Sequence, residues 1–250
     1  MKKIIVLGIL GLSMLSSTDT FAQEKKPQVK KKRANSTYAA LDLQLGSMIA
    51  PSLSYSKDWY FLKNQKLIVG TGARLTSVFG SNALFITAPA KLTSGKTGPG
   101  VFFADQIPAN IDSFTFSGVQ ANAINIPIHI GYRISKKLSA GFNIDAIGIS
   151  LGGKKQAVQA DIINNIDPIY NAKPTFFNAL LISDNDLGTL NSQLYARYQV
   201  NKTWGARLGA GFLFTEYTTT TVAQVAPGGI SNSRFRNKAL GLSLGVTRSF

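Results

Sequence analysis

The chain contains one histidine and no cysteine among its 250 residues, which limits the chemistry that it can perform. Zinc sites need several histidine or cysteine ligands, so we expect no metal site. His129 has no serine at a spacing typical of a hydrolase. The run Gly152-Gly153-Lys154-Lys155 follows a strand and does not precede a helix, unlike a phosphate-binding loop. The sequence therefore predicts no catalytic residue, no enzyme activity and no cofactor.

Charged and titratable side chains recur at alternate positions of apolar stretches, where a β-strand turns them all to one face. They are Asp42, Asp58, Arg74, His129, Arg133, Asp145, Arg197 and Arg207. If this face lines a narrow barrel, unpaired charges would be very costly, so we expect a lumen charge network of ion pairs that closes the interior. The surplus of arginine leaves a second hypothesis open, a narrow channel that prefers anions.

The short connection 201–203 places Arg197 opposite Arg207, and two facing arginines repel each other unless an anion lies between them. Asp42 and Asp58 stand at similar distances from the same end of their own strands. We therefore expect these two aspartates to pair with the two arginines. Arg74 and Asp145 stand further along their strands at matching heights, and they predict a second layer of charge.

The elements that position these residues are eight stretches in which apolar and polar residues alternate, the pattern of β-strands with one apolar face. They lie at 41–46, 52–61, 67–76, 124–133, 138–145, 193–200, 204–214 and 240–247. Three connections, 62–66, 135–137 and 201–203, are short, whereas 80–119, 152–188 and 219–237 are long. Short turns at one end and long loops at the other are typical of transmembrane barrels. Segments 84–92 and 101–107 could add a hairpin, which leaves ten strands as an alternative.

Aromatic residues concentrate at the short-turn end, where a membrane interface favours amphipathic rings. Five of them, Trp59, Phe61, Tyr132, Tyr198 and Trp204, are predicted interface residues, together with the terminal Phe250. The long loops carry a second aromatic set with few charges: Phe85, Phe102, Phe103, Phe114, Phe116, Tyr170, Phe176 and Phe177. We expect the loop aromatics to pack on one another; the alternative is binding of an apolar or saccharide ligand.

The N-terminal segment has the pattern of a cleaved signal peptide over 1–22, with two lysines, a short apolar stretch and small residues before the predicted cleavage site. Residues 23–37 are basic and lack apolar periodicity, so we expect a disordered periplasmic tail before a barrel over 38–250. The formal charge of +15 includes this tail. Because the chain is expected to be exported, no nucleic-acid partner is expected, whatever the charge.

The last strand alternates from Leu240 and closes on Phe250, which resembles the recognition signal of bacterial outer-membrane barrels. Residues 38–250 resemble the small OmpA/OmpX-type barrels and the generic outer membrane protein β-barrel domain group. Arg248 departs from their usual apolar residue near the end, although an arginine can extend to the interface. The resemblance implies an all-β, eight-stranded antiparallel up-and-down transmembrane barrel in a Gram-negative outer membrane, with periplasmic turns and extracellular loops.

Three functions follow as hypotheses. The first is a non-enzymatic, porin-like but closed barrel whose outer loops interact with an unknown extracellular ligand or surface, or serve a structural role. The second is a small porin or a transporter of small or apolar solutes. The third is a membrane-embedded lipid hydrolase, which would have to use His129. Outer-membrane lipid and the barrel assembly machinery are the expected partners, with Phe250 as the assembly signal.

Overall fold

The computed structural model describes residues 34–62, 64–159, 168–181 and 185–250. The predicted signal peptide and most of the predicted tail lie outside these residues. The first strand begins at Asn35, slightly before the predicted start of the barrel at 38. No helix in the described part of the chain is long and apolar enough to cross a membrane.

Within the residues that the structure describes, thirteen strands and three short helical segments make up the fold. The strands are β1 (Asn35–Gly46), β2 (Ile49–Phe61), β3 (Leu67–Thr87), β4 (Ser113–Arg133), β5 (Leu138–Leu151), β6 (Lys155–Gln159), β7 (Ile169–Pro174), β8 (Phe177–Ala179), β9 (Leu190–Gln199), β10 (Trp204–Thr219), β11 (Gln224–Ala226), β12 (Ile230–Asn232) and β13 (Arg234–Ser249). A helical turn, α1 (Ala90–Thr93), and two 3-10 turns, Gly98–Phe103 and Pro108–Asn110, lie between β3 and β4.

Eight antiparallel strands close into a ring. The order is β1, β2, β3, β4, β5, β9, β10 and β13, and β13 pairs back onto β1 with Leu43 opposite Leu244. Every strand of the ring therefore has two neighbours and no edge is exposed. The predicted eight-stranded up-and-down barrel is confirmed.

The ring turns apolar side chains outward and polar side chains inward. Outward leucines such as Leu194 and Leu208 are 63% and 56% exposed, whereas inward Asp42, Arg74 and Asp145 are at most 3% exposed. An exposed apolar belt around a polar interior is the reverse of a water-soluble protein and suits contact with lipid. The prediction of which side chains face outward and which face inward in the eight strands therefore agrees with the structure.

A second, narrower ring stands on the first at the long-loop end. β1, β2, β5 and β9 do not extend this far. β3 instead pairs with β13, with Phe235 opposite Thr87, and the hairpin of β6 and β7 bridges β4 to β10. The resulting ring contains six strands, β3, β4, β6, β7, β10 and β13.

The alternative of an added hairpin at 84–92 and 101–107 is wrong. Residues up to Thr87 continue β3, and Pro89 then precedes the helical turn α1. Proline cannot donate to a sheet ladder, so a strand rarely continues through it. The hairpin that the structure does add, β6 and β7, comes from the next long connection.

The outward register predicts a depth-dependent cost of charge. Leu208→Arg places a cation in the middle of the apolar belt and should destabilise the barrel by about 2–4 kcal/mol in lipid vesicles. Val200→Arg is the matched control, because Val200 is equally exposed at 56% but follows β9 in a short turn. Its cost should be about 0–1 kcal/mol. Urea titration of both variants measures the difference, and equal costs would contradict the assigned register.

Candidate functional site: a filled lumen and a rigid outer end

The centre of the lumen holds a fully hydrogen-bonded ion pair between Arg74 on β3 and Asp145 on β5. Arg74 Nε donates to Asp145 Oδ1 at 2.9 Å, Nη1 donates to Asn143 Oδ1 at 2.7 Å, and Nη2 donates to the backbone carbonyl of Asn191 at 2.6 Å. Asp145 Oδ2 also accepts from Asn125 Nδ2 at 2.8 Å and from the Asn191 amide at 2.9 Å. Filling the remaining hydrogen-bond positions in this way offsets the cost of burying the two charges.

A second ion pair, between Arg207 on β10 and Asp42 on β1, is linked to the first by amides. Arg207 Nη1 donates to Asp42 Oδ2 at 3.0 Å, and Nη2 donates to Gln193 Oε1 at 3.1 Å. The same Gln193 oxygen accepts from Asn143 Nδ2 at 3.3 Å, and Asn143 contacts Arg74. β10 and β1 lie on either side of β13 in the ring, so this pair bridges two strands that are not hydrogen-bonded to each other.

The network extends toward the long-loop end through Asn178 on β8. Asn178 Nδ2 donates to Asn125 Oδ1 at 2.7 Å, and Asn178 Oδ1 accepts from Ser150 Oγ at 2.8 Å and from the Thr189 amide at 2.9 Å. A continuous chain of hydrogen bonds therefore runs from Asp42 to Ser150. We call this chain, through Arg207, Gln193, Asn143, Arg74, Asp145, Asn125 and Asn178, the lumen network.

The neutral members of the lumen network were missed at the sequence level, where only charged and titratable residues were singled out. Asn125, Asn143 and Gln193 stand in the predicted strands on the inward face, so alternation together with amide chemistry could have found them. Asn178 comes from β8, a strand of three residues within a long connection, and no local pattern marks it.

Asp58, His129 and Arg197 form a separate and looser cluster nearer the short turns. Asp58 lies 3.6 Å from His129 Nδ1 and 3.9 Å from Arg197 Nη2. The Tyr38 hydroxyl lies 3.2 Å from the same His129 nitrogen, and the Arg197 guanidinium stacks 4.6 Å above the Tyr38 ring. The facing pair Arg197 and Arg207 occurs in the register, and each arginine contacts a different aspartate.

Arg133 does not belong to the ion-paired network that the sequence predicted for it. No ion pair among the described residues includes Arg133; its guanidinium instead stacks 4.1 Å above the ring of Tyr60. The physical reason is its position as the last residue of β4, at the mouth of the barrel, where it is half-buried and the carboxylates lie deeper.

Above the lumen network the interior becomes apolar and aromatic. Phe85, Phe114, Phe116, Tyr217 and Phe235 are fully buried inside the six-stranded ring, with Phe114 and Phe235 centroids 4.0 Å apart. Small residues of β6 and β7, Ala157 and Ala172, complete this cluster.

The predicted packing of loop aromatics holds for part of that set. Phe85, Phe114 and Phe116 are buried and Tyr170 packs against them, but Phe103, Phe176 and Phe177 are exposed. The side chain of Phe102 lies outside the described part.

Polar contacts hold the long-loop end in place. Glu216 accepts bidentate hydrogen bonds from Arg234 Nε and Nη2, both at 2.8 Å. Gln224 of the β11–β12 hairpin accepts from Thr87 Oγ1 at 3.0 Å and donates to the Asn110 carbonyl at 2.9 Å. Asp112 accepts from Gln159 Nε2 at 3.2 Å, and partial burial raises the pKa of its carboxyl. Side chains thus tie the hairpin and the β3–β4 connection to the six-stranded ring.

The predicted interface aromatics all lie at the short-turn end. Tyr132, Tyr198, Trp204 and Phe250 are exposed, and Trp59 and Phe61 are half-buried. Basic side chains accompany them: Lys57 lies over Trp59, Lys66 over Tyr132, and Arg248 over both Trp204 and Phe250. Arg248 therefore points outward and covers two aromatic rings.

No family model matches the chain, and no curated protein matches it. Solved structures with a similar architecture include Neisserial surface protein A, at 10% identity and a TM-score of 0.34, covering 86% of this chain and 96% of that one. Ail, the attachment invasion locus protein of Yersinia pestis, solved with the heparin analogue sucrose octasulfate, is 8% identical with a TM-score of 0.34, covering 86% and 98%. The toluene transporter TbuX of Ralstonia pickettii is 13% identical with a TM-score of 0.25, covering 83% and 69%.

The closed eight-stranded ring, its apolar outer belt and its polar interior define a transmembrane β-barrel. Within this class the interior is occupied at two levels, by the lumen network and by the aromatic cluster above it.

The Arg207–Asp42 pair predicts strong coupling in a double-mutant cycle. Asp42→Ala leaves the buried Arg207 guanidinium without its carboxylate and should cost about 3–5 kcal/mol of folding free energy. Adding Arg207→Ala should recover part of that loss, since both charges are then absent. Urea unfolding in lipid vesicles measures the cycle, and additive costs would show that the two side chains do not interact.

The aromatic cluster predicts unequal effects of two phenylalanines. Phe114→Ala removes a fully buried ring and should cost about 3–5 kcal/mol. Phe103→Ala removes a ring that is 92% exposed and should change stability by less than about 0.5 kcal/mol. The same unfolding assay compares the two, and a small effect of Phe114→Ala would show that the six-stranded ring is not a packed structure.

Proposed function

We propose that this protein resides in the bacterial outer membrane as a closed, non-conducting barrel that presents a rigid outer surface for interaction. Export by cleavage of 1–22, with short turns in the periplasm and long loops outside, is part of the proposal. The observation that carries it is the occupation of the interior by two stacked layers of different chemistry. An eight-stranded barrel is only wide enough for its own side chains, so either layer alone obstructs a water path.

The lumen contents favour the closed barrel over the small porin. A conducting pore needs a continuous file of water between its two mouths. Here the lumen network runs without a break from Asp42 on β1 to Asp145 on β5, on the opposite side of the ring, and fully buried phenylalanines lie above it. His129 contacts Tyr38 and Asp58 within the lumen, a setting that gives a hydrolase role no support.

The outer end supports the interaction role. Large apolar side chains are exposed there, with Phe103 at 92%, Val225 at 68% and Ile230 at 45%. The segments that carry these side chains are held in place by the hydrogen bonds of Gln224 and by the Glu216–Arg234 ion pair. The surface is therefore preformed. Exposed apolar groups on a rigid frame are typical of a contact site for another molecule. The partner proposed is an extracellular ligand or surface.

The short-turn end supports insertion into a bilayer. Exposed aromatic rings with adjacent cations suit the level of lipid headgroups. Phe250 is 70% exposed, and its recognition by the barrel assembly machinery is part of the proposal.

Planar-bilayer recording tests the closed barrel. The purified, refolded protein should give no steady single-channel current at moderate voltage, because the two layers leave no ion path. A heat-shift on gel electrophoresis verifies that the inserted protein is folded. Reproducible unit conductances from the unmodified protein would contradict the proposal and favour a small porin.

Single-cysteine labelling tests the orientation, and the absence of native cysteine makes each label unique. Val225→Cys should react with a membrane-impermeant maleimide on intact cells, whereas Lys202→Cys, exposed in a short turn, should react only after the outer membrane is permeabilised. The reverse result would place the long loops in the periplasm and overturn the proposed interaction surface.

A further inference from the structure

The lumen opens at the short-turn end into a cavity of about 250 Å³. Its lining comes from five strands of the ring, β2, β3, β4, β5 and β9, and from the β4–β5 turn. The lining residues are Tyr60, Ile68, Arg133, Ser135, Lys136, Lys137, Leu138, Ser139, Arg197 and Gln199. We call this cavity the basic mouth.

Four cations and no carboxylate line the basic mouth. Arg133, Lys136 and Lys137 form no ion pair within the described part of the chain. Arg197 has one distant ion pair, 3.9 Å from Asp58, and that carboxylate is shared with His129. The cavity therefore carries a positive charge that the surrounding protein leaves largely uncompensated.

The backbone register brings the two arginines together. Arg133 pairs with Ser139 across β4 and β5, and Ser139 pairs with Arg197 across β5 and β9. The two guanidinium groups consequently stand on one row of the inner wall, with β5 between their strands. Each stacks on a tyrosine, Arg133 on Tyr60 at 4.1 Å and Arg197 on Tyr38 at 4.6 Å. Stacking holds guanidinium groups while leaving the N–H donors at their edges free for an anion.

The neighbouring short connections of the barrel supply no anion to the mouth. The short connections 62–66, 134–137 and 200–203 contain lysines and no acidic residue. The chain enters β1 at the same end, where the Ala34 carbonyl accepts from the Tyr60 amide. Like charges in such proximity repel, so a bound anion would stabilise the mouth.

We propose that the basic mouth is a binding site for a phosphate group. Two arginine forks and two lysine ammonium groups match a compact dianion with several oxygens better than a single carboxylate. The arginines and Gln199 belong to the inward-facing register, so the phosphate arrives from the aqueous side and not from the lipid belt. The ligand class is inorganic phosphate or a soluble phosphate monoester, and in the proposed orientation the site faces the periplasm.

Phosphate titration monitored by ³¹P NMR tests this site on the full mature chain in phosphatidylcholine nanodiscs. Inorganic phosphate should bind saturably to the wild type and weaken as ionic strength rises. Arg133→Gln should weaken binding by about tenfold or more, the effect of losing one charge-assisted contact. Lys137→Gln should also weaken phosphate binding. Lys137 is exposed, so this substitution should not impair folding.

Lys202→Gln is the matched control, because it removes one charge from the same end of the barrel at an exposed turn position outside the mouth. It should leave the phosphate affinity within about twofold of wild type. Equal losses in Lys202→Gln and Arg133→Gln would overturn the site and indicate diffuse surface attraction. Absence of saturable binding to the wild type would overturn it as well.

A parallel titration in nanodiscs containing phosphatidylglycerol identifies the source of the phosphate. Unchanged affinity supports a soluble ligand. If phosphatidylglycerol lowers the phosphate affinity of the wild type but not that of Arg133→Gln, a lipid headgroup occupies the mouth. This result would overturn the assignment to a soluble phosphate.

Discussion

The hydrogen-bonded ion pair between Arg74 and Asp145 is the interaction on which the rest of this barrel depends. Two full charges in an eight-stranded interior are costly to desolvate, and hydrogen bonds to their remaining donors and acceptors offset that cost. Amides from β4, β5 and β9 provide those partners, and Gln193 carries the network on to Arg207 and Asp42. One hydrogen-bonded network therefore both fills the lumen and joins β1 to β5 on the opposite side of the ring.

The change from a polar to an apolar interior follows from where the wall narrows. In the lower ring the outside faces lipid, so apolar residues point outward and the interior receives the polar ones. In the six-stranded ring, Phe85, Phe116 and Tyr217 point inward and make a core like that of a water-soluble domain. β6 and β7 are needed because β5 and β9 end below this level, and their alanines leave space for the rings.

Strand phase and the pairing of charges could be predicted because both follow from local rules. Alternation assigns each side chain to a face, and the short turn at 201–203 fixes the register that places Arg197 opposite Arg207. Counting residues from the short-turn end of each strand predicts that Arg74 lies near Asp145 and that Asp42 lies near Arg207. The structure shows both pairs in contact.

The other features of the fold and of the lumen depend on tertiary structure and could not be predicted from local sequence patterns. β6 and β7 have few inward apolar residues, so their sequences lack a strand signal, and Asn178 enters the lumen from a three-residue strand. The apolar stretch 84–92 resembles a hairpin strand, but Pro89 cannot donate to a sheet ladder and the strand ends at Thr87. Arg133 has the inward phase of the network residues, but its guanidinium stacks on Tyr60 at the end of β4 instead of meeting a carboxylate.

Closure of the lumen implies that water does not reach the centre of the network, and hydrogen exchange at one side chain tests this directly. The Arg74 Nε–H donates to Asp145 and is buried at the centre of the barrel, whereas Arg248 is exposed on the outer surface. In nanodiscs transferred to D₂O, the ¹⁵N NMR signal of Arg74 Nε–H should persist for hours while that of Arg248 disappears within the dead time. Equally rapid loss of both signals would show that water passes freely through the lumen and would contradict a closed barrel.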